Sequence, residues 1–149
     1  MAPRQSQSTY HAVTFLFLVS LVAAASPPRP FHFRFQLDAP NALSSESERV
    51  VAALQRGLFS DSLIVPGAPQ PFPRPNGAKP DSDLSHITSS ILFRGGLREV
   101  DGRVEVTLTL INVLGRRVAG PDTVRVERAA IDSVFVAKGQ ADARILVRR

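Results

Sequence analysis

The sequence predicts an α/β domain of the α+β kind: a single mixed sheet with a central antiparallel hairpin and two helices packed on one face. Three observations predict it. Residues 91–113, ILFRGGLREVDGRVEVTLTLINV, alternate apolar and polar on both sides of Asp101-Gly102, a dipeptide that tolerates the positive φ of a two-residue hairpin turn. Two stretches, 45–58 and 128–149, carry apolar residues at helical spacing. Shorter alternating runs lie near 31–37 and 123–127. The element order β, α, β, loop, β, β, β, α then places both helices over one side of the sheet.

The hairpin fixes its own register. With Val100 opposite Arg103, Leu97 meets Val106, Gly95 meets Leu108, Phe93 meets Leu110 and Ile91 meets Asn112, so one face is apolar. The other face pairs Arg98 with Glu105 and Arg94 with Thr109. Gly95-Gly96, inside a strand, is read as a bulge or as relief where a helix packs closely.

The first strand follows a stiff Pro27-Pro28-Arg29-Pro30 lead-in. Phe31, Phe33, Phe35 and Leu37 form its apolar face; His32, Arg34, Gln36 and Asp38 form its wet face. Ala39-Pro40-Asn41 ends it. Ser45 and Glu48 then have capping-box spacing ahead of Val50, Val51, Leu54 and Leu58. Ser62 to Val65 reads as a short edge strand closed by Pro66-Gly67. Residues 66–80 form a proline-rich loop in which Phe72 is the one anchor. Asp81 to Ser90 is expected to hold a helical turn; His86, Asp81 and Asp83 there match no metal-ligand spacing. After the hairpin, residues 115–120 are expected to turn and Thr123 to Glu127 to form a strand. The final helix is expected to bury Ile131, Val134, Phe135, Lys138, Ala141 and Ile145, with Gly139 as a weak point.

The 149 residues, 44% hydrophobic and 21% charged, suit one globular domain. Residues 1–25 read as a signal peptide, leaving 26–149 as the domain: Arg4 precedes the apolar run 12–25, and Ala23-Ala24-Ala25 offers small residues for cleavage before Ser26. Fourteen residues are short for a membrane span, which needs about 20; the alternative is an uncleaved N-terminal anchor. The expected location is therefore periplasmic or secreted. With no cysteine, disulfides, thiolate metal sites, a cysteine nucleophile and a lipidated cysteine are excluded. The formal charge is +5, and 16 of the 18 basic residues are arginine. No basic run exceeds two residues, so the charge reads first as dispersed and second as a polyanion site.

Catalytic signatures are missing: there is no G-x-S-x-G, phosphate loop or H-E-x-x-H, and His32 and His86 lie far apart in sequence with no evident base or nucleophile beside them. The chain is accordingly expected to be no enzyme and to use no catalytic residue, metal or cofactor.

The run Gly95 to Leu110 with Asn112-Val113-Leu114-Gly115-Arg116, preceded by SESERVVAALQRGL and SLIVPG, resembles the N-terminal domain of TolB and related periplasmic domains of the FlgO and penicillin-binding-protein-activator type. It spans roughly Phe31 to Arg149. The sequence departs from that pattern in its proline-rich insertion, and no β-propeller is expected. The resemblance implies a non-enzymatic cell-envelope interaction module with an envelope protein as partner, and the candidate contact residues are Ser62, Leu63, Ile64, Val65 and Phe72. The alternative is an Arg-rich binder of nucleic acid or anionic polysaccharide through Arg94, Arg98, Arg103, Arg116 and Arg117.

Overall fold

The computed structural model describes residues 27–69 and 88–149. The expected leader, Phe72, His86, Asp81 and Asp83 lie outside the described residues. Five strands form one mixed sheet in the order β2-β1-β3-β4-β5: β1 (Arg29–Asp38), β2 (Ile64–Pro66), β3 (Ser89–Val100), β4 (Arg103–Asn112) and β5 (Arg117–Val126). Strand β1 runs parallel to both its neighbours, β2 and β3, while β3, β4 and β5 are antiparallel in succession. Helices α1 (Ser44–Leu58) and α2 (Ile131–Val147) pack on one side.

Within the hairpin β3–β4 the register is the one its turn dictates, from Val100↔Arg103 to Ile91↔Asn112. Asp101 and Gly102 both have positive φ, 52° and 74°, as the two central positions of a type I′ turn require. There is no bulge at Gly95. A Cβ there would run into the backbone of Thr107 on β4, so the glycine relieves a strand–strand contact and not a helix contact. The register shifts lie instead between β4 and β5, at Leu108, Leu110 and Ile111.

The core lies between the sheet and the helices. Phe93, Val104, Val106, Leu108 and Leu110 from the hairpin and Val50, Leu54, Leu58, Ile131 and Phe135 from the helices are fully buried. On β1, Phe33 packs edge-on against Phe93 (5.9 Å) and Phe59 (5.4 Å). Burying aromatic and aliphatic side chains at this density is the main stabilising term of such a domain.

Four expectations need correcting. Helix α1 starts one residue before Ser45, after a 3₁₀ turn at Asn41–Leu43, and its N-cap is Leu43 with no side-chain cap. Ser45 is therefore inside the first turn, where its hydroxyl donates to Glu46 (2.9 Å), and the Ser45/Glu48 box does not form. Of the helical turn expected over Asp81–Ser90, residues 81–87 lie outside the described residues, while Ser89 and Ser90 belong to β3. The turn after β4 is shorter than residues 115–120, since β5 begins at Arg117 and runs through Gly120-Pro121; a proline is tolerated on an edge strand because the missing N–H has no ladder partner to lose. The buried side of α2 comprises Ile131, Phe135, Gly139, Asp142, Ala143 and Leu146, whereas Ala141 and Ile145 are exposed. Gly139 is where the helices meet: a Cβ there would lie 3.0 Å from Gly57 Cα, and one at Gly57 would lie 2.9 Å from Gly139 Cα. Above this contact Asp132 of α2 accepts from Arg49 (2.6 Å) and Arg56 (3.0 Å) of α1.

Candidate functional site

Both helices share one side of the sheet, and among the described residues no helix lies over the other side, termed the uncovered face. Alternation turns Arg34 and Gln36 of β1, Leu92, Arg94 and Arg98 of β3, Arg103, Glu105, Thr107, Thr109 and Ile111 of β4, and Thr123 and Arg125 of β5 toward this uncovered face. Arg117 joins them opposite Ile111.

At its centre Glu105 is only 4% exposed although it stands on an open surface. Arg98 and Arg125, its cross-strand neighbours, fold over it from both sides, each donating through Nε over 2.6 Å. The bonds from Arg125 and then Arg98 outweigh burial and hold the Glu105 carboxyl below its ordinary range. Further along, Arg103 lies 3.5 Å from Glu127. Thr107 and Thr123 share a hydroxyl hydrogen bond of 3.2 Å.

Near the other end the pattern changes. Arg34 and Arg94 flank a half-open groove of ≈ 230 Å³ with Leu92 and Ile111 in its lining. Neither arginine pairs with a carboxylate among the described residues. Two arginines lining one groove over an apolar floor can receive an anionic group bidentately.

Of the arginines named from the sequence, Arg94, Arg98, Arg103 and Arg117 share this face, while Arg116 lies in the β4–β5 turn, its N–H on Asn112 Oδ1 (2.9 Å). Arg98 and Arg103 are engaged with carboxylates. The sequence did not point to Arg34 or Arg125 as members; the wet-face alternation of β1 contained the signal for Arg34, but not the fact that β1 lies beside β3.

The edge-strand candidates fare differently. Ser62 and Leu63 precede the strand, β2 has three residues, and Ile64 is 3% exposed and part of the core. The Leu63 carbonyl accepts from Arg29 N–H (2.8 Å), which ties this segment to β1. Only Ser62 is exposed and Leu63 and Val65 are half-buried, so the exposed apolar ladder that a docking strand would offer is absent from Ser62–Val65.

A second polar cluster sits under α2. Asp142 is fully buried, one of its oxygens bound by Lys138 and the other without a partner among the described residues. Lys138 also reaches Asp122 of β5 at 3.0 Å. Desolvation raises the Asp142 pKa despite Lys138; burial also works against the Lys138 ammonium, but Asp142 and Asp122 outweigh it and its pKa ends raised. Among the described residues no group of three or more His, Cys, Asp or Glu side chains is placed to hold a metal ion.

No known protein family and no curated protein matches the chain. The likeness to the TolB N-terminal domain therefore rests on the sequence pattern alone.

Proposed function

We propose that this chain is a non-enzymatic recognition module of the cell envelope or the extracellular space, and that it holds an anionic partner on the uncovered face of its sheet. The observation that carries the proposal is the convergence of Arg34 and Arg94 on adjacent strands, with no carboxylate partner among the described residues, beside Arg98, Arg103, Arg117 and Arg125 on the same face. Exposed arginines spaced across a rigid sheet suit phosphate, sulfate or carboxylate groups repeated along a chain. The apolar run at 12–25 and the TolB-like hairpin pattern support an exported location. An envelope protein docking on Ser62–Val65 draws less support, because that strand is short and turned inward.

The test is binding of the purified protein to a sulfated polysaccharide and to duplex DNA across a salt series. Affinity should fall steeply with salt, and Arg34→Ala/Arg94→Ala should weaken it and flatten the salt slope by about one to two units. Salt-independent binding, or an unchanged slope in the double variant, would overturn the proposal.

A further inference from the structure

The floor of the Arg34–Arg94 groove is more apolar than a binder of plain polyanions needs. Leu92 and Ile111 lie half-buried there, and a chain of sulfates or phosphates gains nothing from them. Polar groups gather at one end. Asn112 Oδ1 is already taken by the N–H groups of Leu114 (3.0 Å) and Arg116 (2.9 Å), which leaves its amide nitrogen as a donor. Ser90 is 7% exposed, and its buried hydroxyl has no partner among the described residues. Both side chains also line an adjoining hollow of ≈ 370 Å³ that continues over Phe31, Val118 and Leu146. Val113, shared by the two, is 42% exposed. Paired cations with an apolar lining beside them match a ligand with one anionic head and an apolar tail.

We infer that this groove binds a carboxylate carried on an alkyl chain, the head held between Arg34 and Arg94 and the tail lying over Leu92 and Ile111. The inference rests on the anion-binding face proposed above and names the ligand class of its most apolar part. A doubly charged head is not required, because two guanidiniums can grip one carboxylate from both sides. Tail burial makes affinity depend on chain length, with a ceiling of about fourfold for each fully buried methylene.

The experiment is calorimetric titration of the purified protein with octanoate, decanoate and dodecanoate below their micelle concentrations, with acetate and an N-acetylated tetrapeptide ending in leucine as comparison probes. Affinity should rise about two- to fourfold per methylene, fall at least tenfold in Arg34→Ala/Arg94→Ala, and stay unchanged in Arg144→Ala, an exposed arginine of α2 on the helix side of the sheet, with circular dichroism confirming that each variant is folded. Equal binding of acetate and dodecanoate would reduce the groove to a simple anion site and overturn the inference. Unchanged dodecanoate affinity in the double variant would overturn it as adsorption elsewhere, and stronger binding of the peptide would overturn it in favour of a peptide terminus. Loss of polysaccharide binding with dodecanoate binding intact would refute the polyanion reading alone; the reverse would refute this one alone.

Discussion

Replacing Gly139 by alanine sets two effects of opposite sign against each other. In a helix interior alanine is favoured over glycine by about 1 kcal/mol, which on propensity alone makes the variant more stable. The added methyl, however, would stand 3.0 Å from Gly57 Cα and Leu58 N, and closer still to the Leu54 carbonyl. All three are backbone atoms of α1, so no side-chain rotation clears the way and the helices must separate. Overpacking of this kind costs about 1–3 kcal/mol, and an obstacle made of backbone belongs in the upper half of that range. The expected net loss is about 1–2 kcal/mol, equivalent to a fall of about 4–8 °C in Tm for a domain of this size. Thermal and urea denaturation followed by circular dichroism measure it, with Ala137→Gly on the exposed side of α2 calibrating propensity alone. A Tm for Gly139→Ala equal to or above that of the unaltered protein would refute the close-crossing argument.

Leu108→Asp places a carboxylate at a position with no exposed surface, and the cost of an unpaired buried charge exceeds the total stability of a typical domain; the cooperative unfolding transition should disappear. Asp142 has a folded pKa raised above its ordinary 3.8. Its contribution is therefore fully present below 3.8 and lost as pH rises through the raised value. The unaltered protein should gain stability relative to Asp142→Asn on mild acidification, and parallel denaturation midpoints from pH 7 to 4 would refute this. Asp132, lowered chiefly by the Arg49 hydrogen bond, works in the other sense: its stabilisation is present above 3.8 and lost as pH falls through the lowered value. Asp132→Asn should therefore flatten the acid limb of the stability curve, and an unchanged limb would show that the α1–α2 ion pairs contribute nothing. For export, the mass of the mature protein should correspond to a chain beginning at Ser26; retention of residues 1–25 would refute leader cleavage.

The parts of the fold that were legible in sequence are those fixed by local rules. Asp101-Gly102 determines the turn, the turn determines the pairing, and period-two alternation then assigns every residue from Ile91 to Asn112 to a face. The stripe on α2 was misassigned because hydropathy treats Gly139 as neutral and Asp142 as polar. The structure buries both, the first because α1 comes so close, the second because Lys138 accompanies it. The capping spacing at Ser45 and Glu48 was outweighed by a preceding 3₁₀ turn that starts the helix earlier. Of the candidate site, the arginines of the hairpin could be placed on a common face from their own register. Arg34 could not be joined to Arg94, since that neighbourhood depends on β1 entering the sheet beside β3, a long-range event with no local signature.

The position of β1 also bears on how the chain reaches this structure. It is among the first parts of the domain to be synthesised, yet both of its hydrogen-bonding neighbours, β2 and β3, come later, the second after residue 88. Until they arrive, a strand with Phe31, Phe33 and Phe35 along one side has no ladder partner from this sheet on either edge. Such a segment can pair with whatever strand it meets, another copy included. The hairpin β3–β4, closed by a two-residue turn, forms without waiting. Assembly is thus a race between capture of β1 by the newly formed hairpin and its capture by a stranger, and the yield of folded protein should depend on chain concentration.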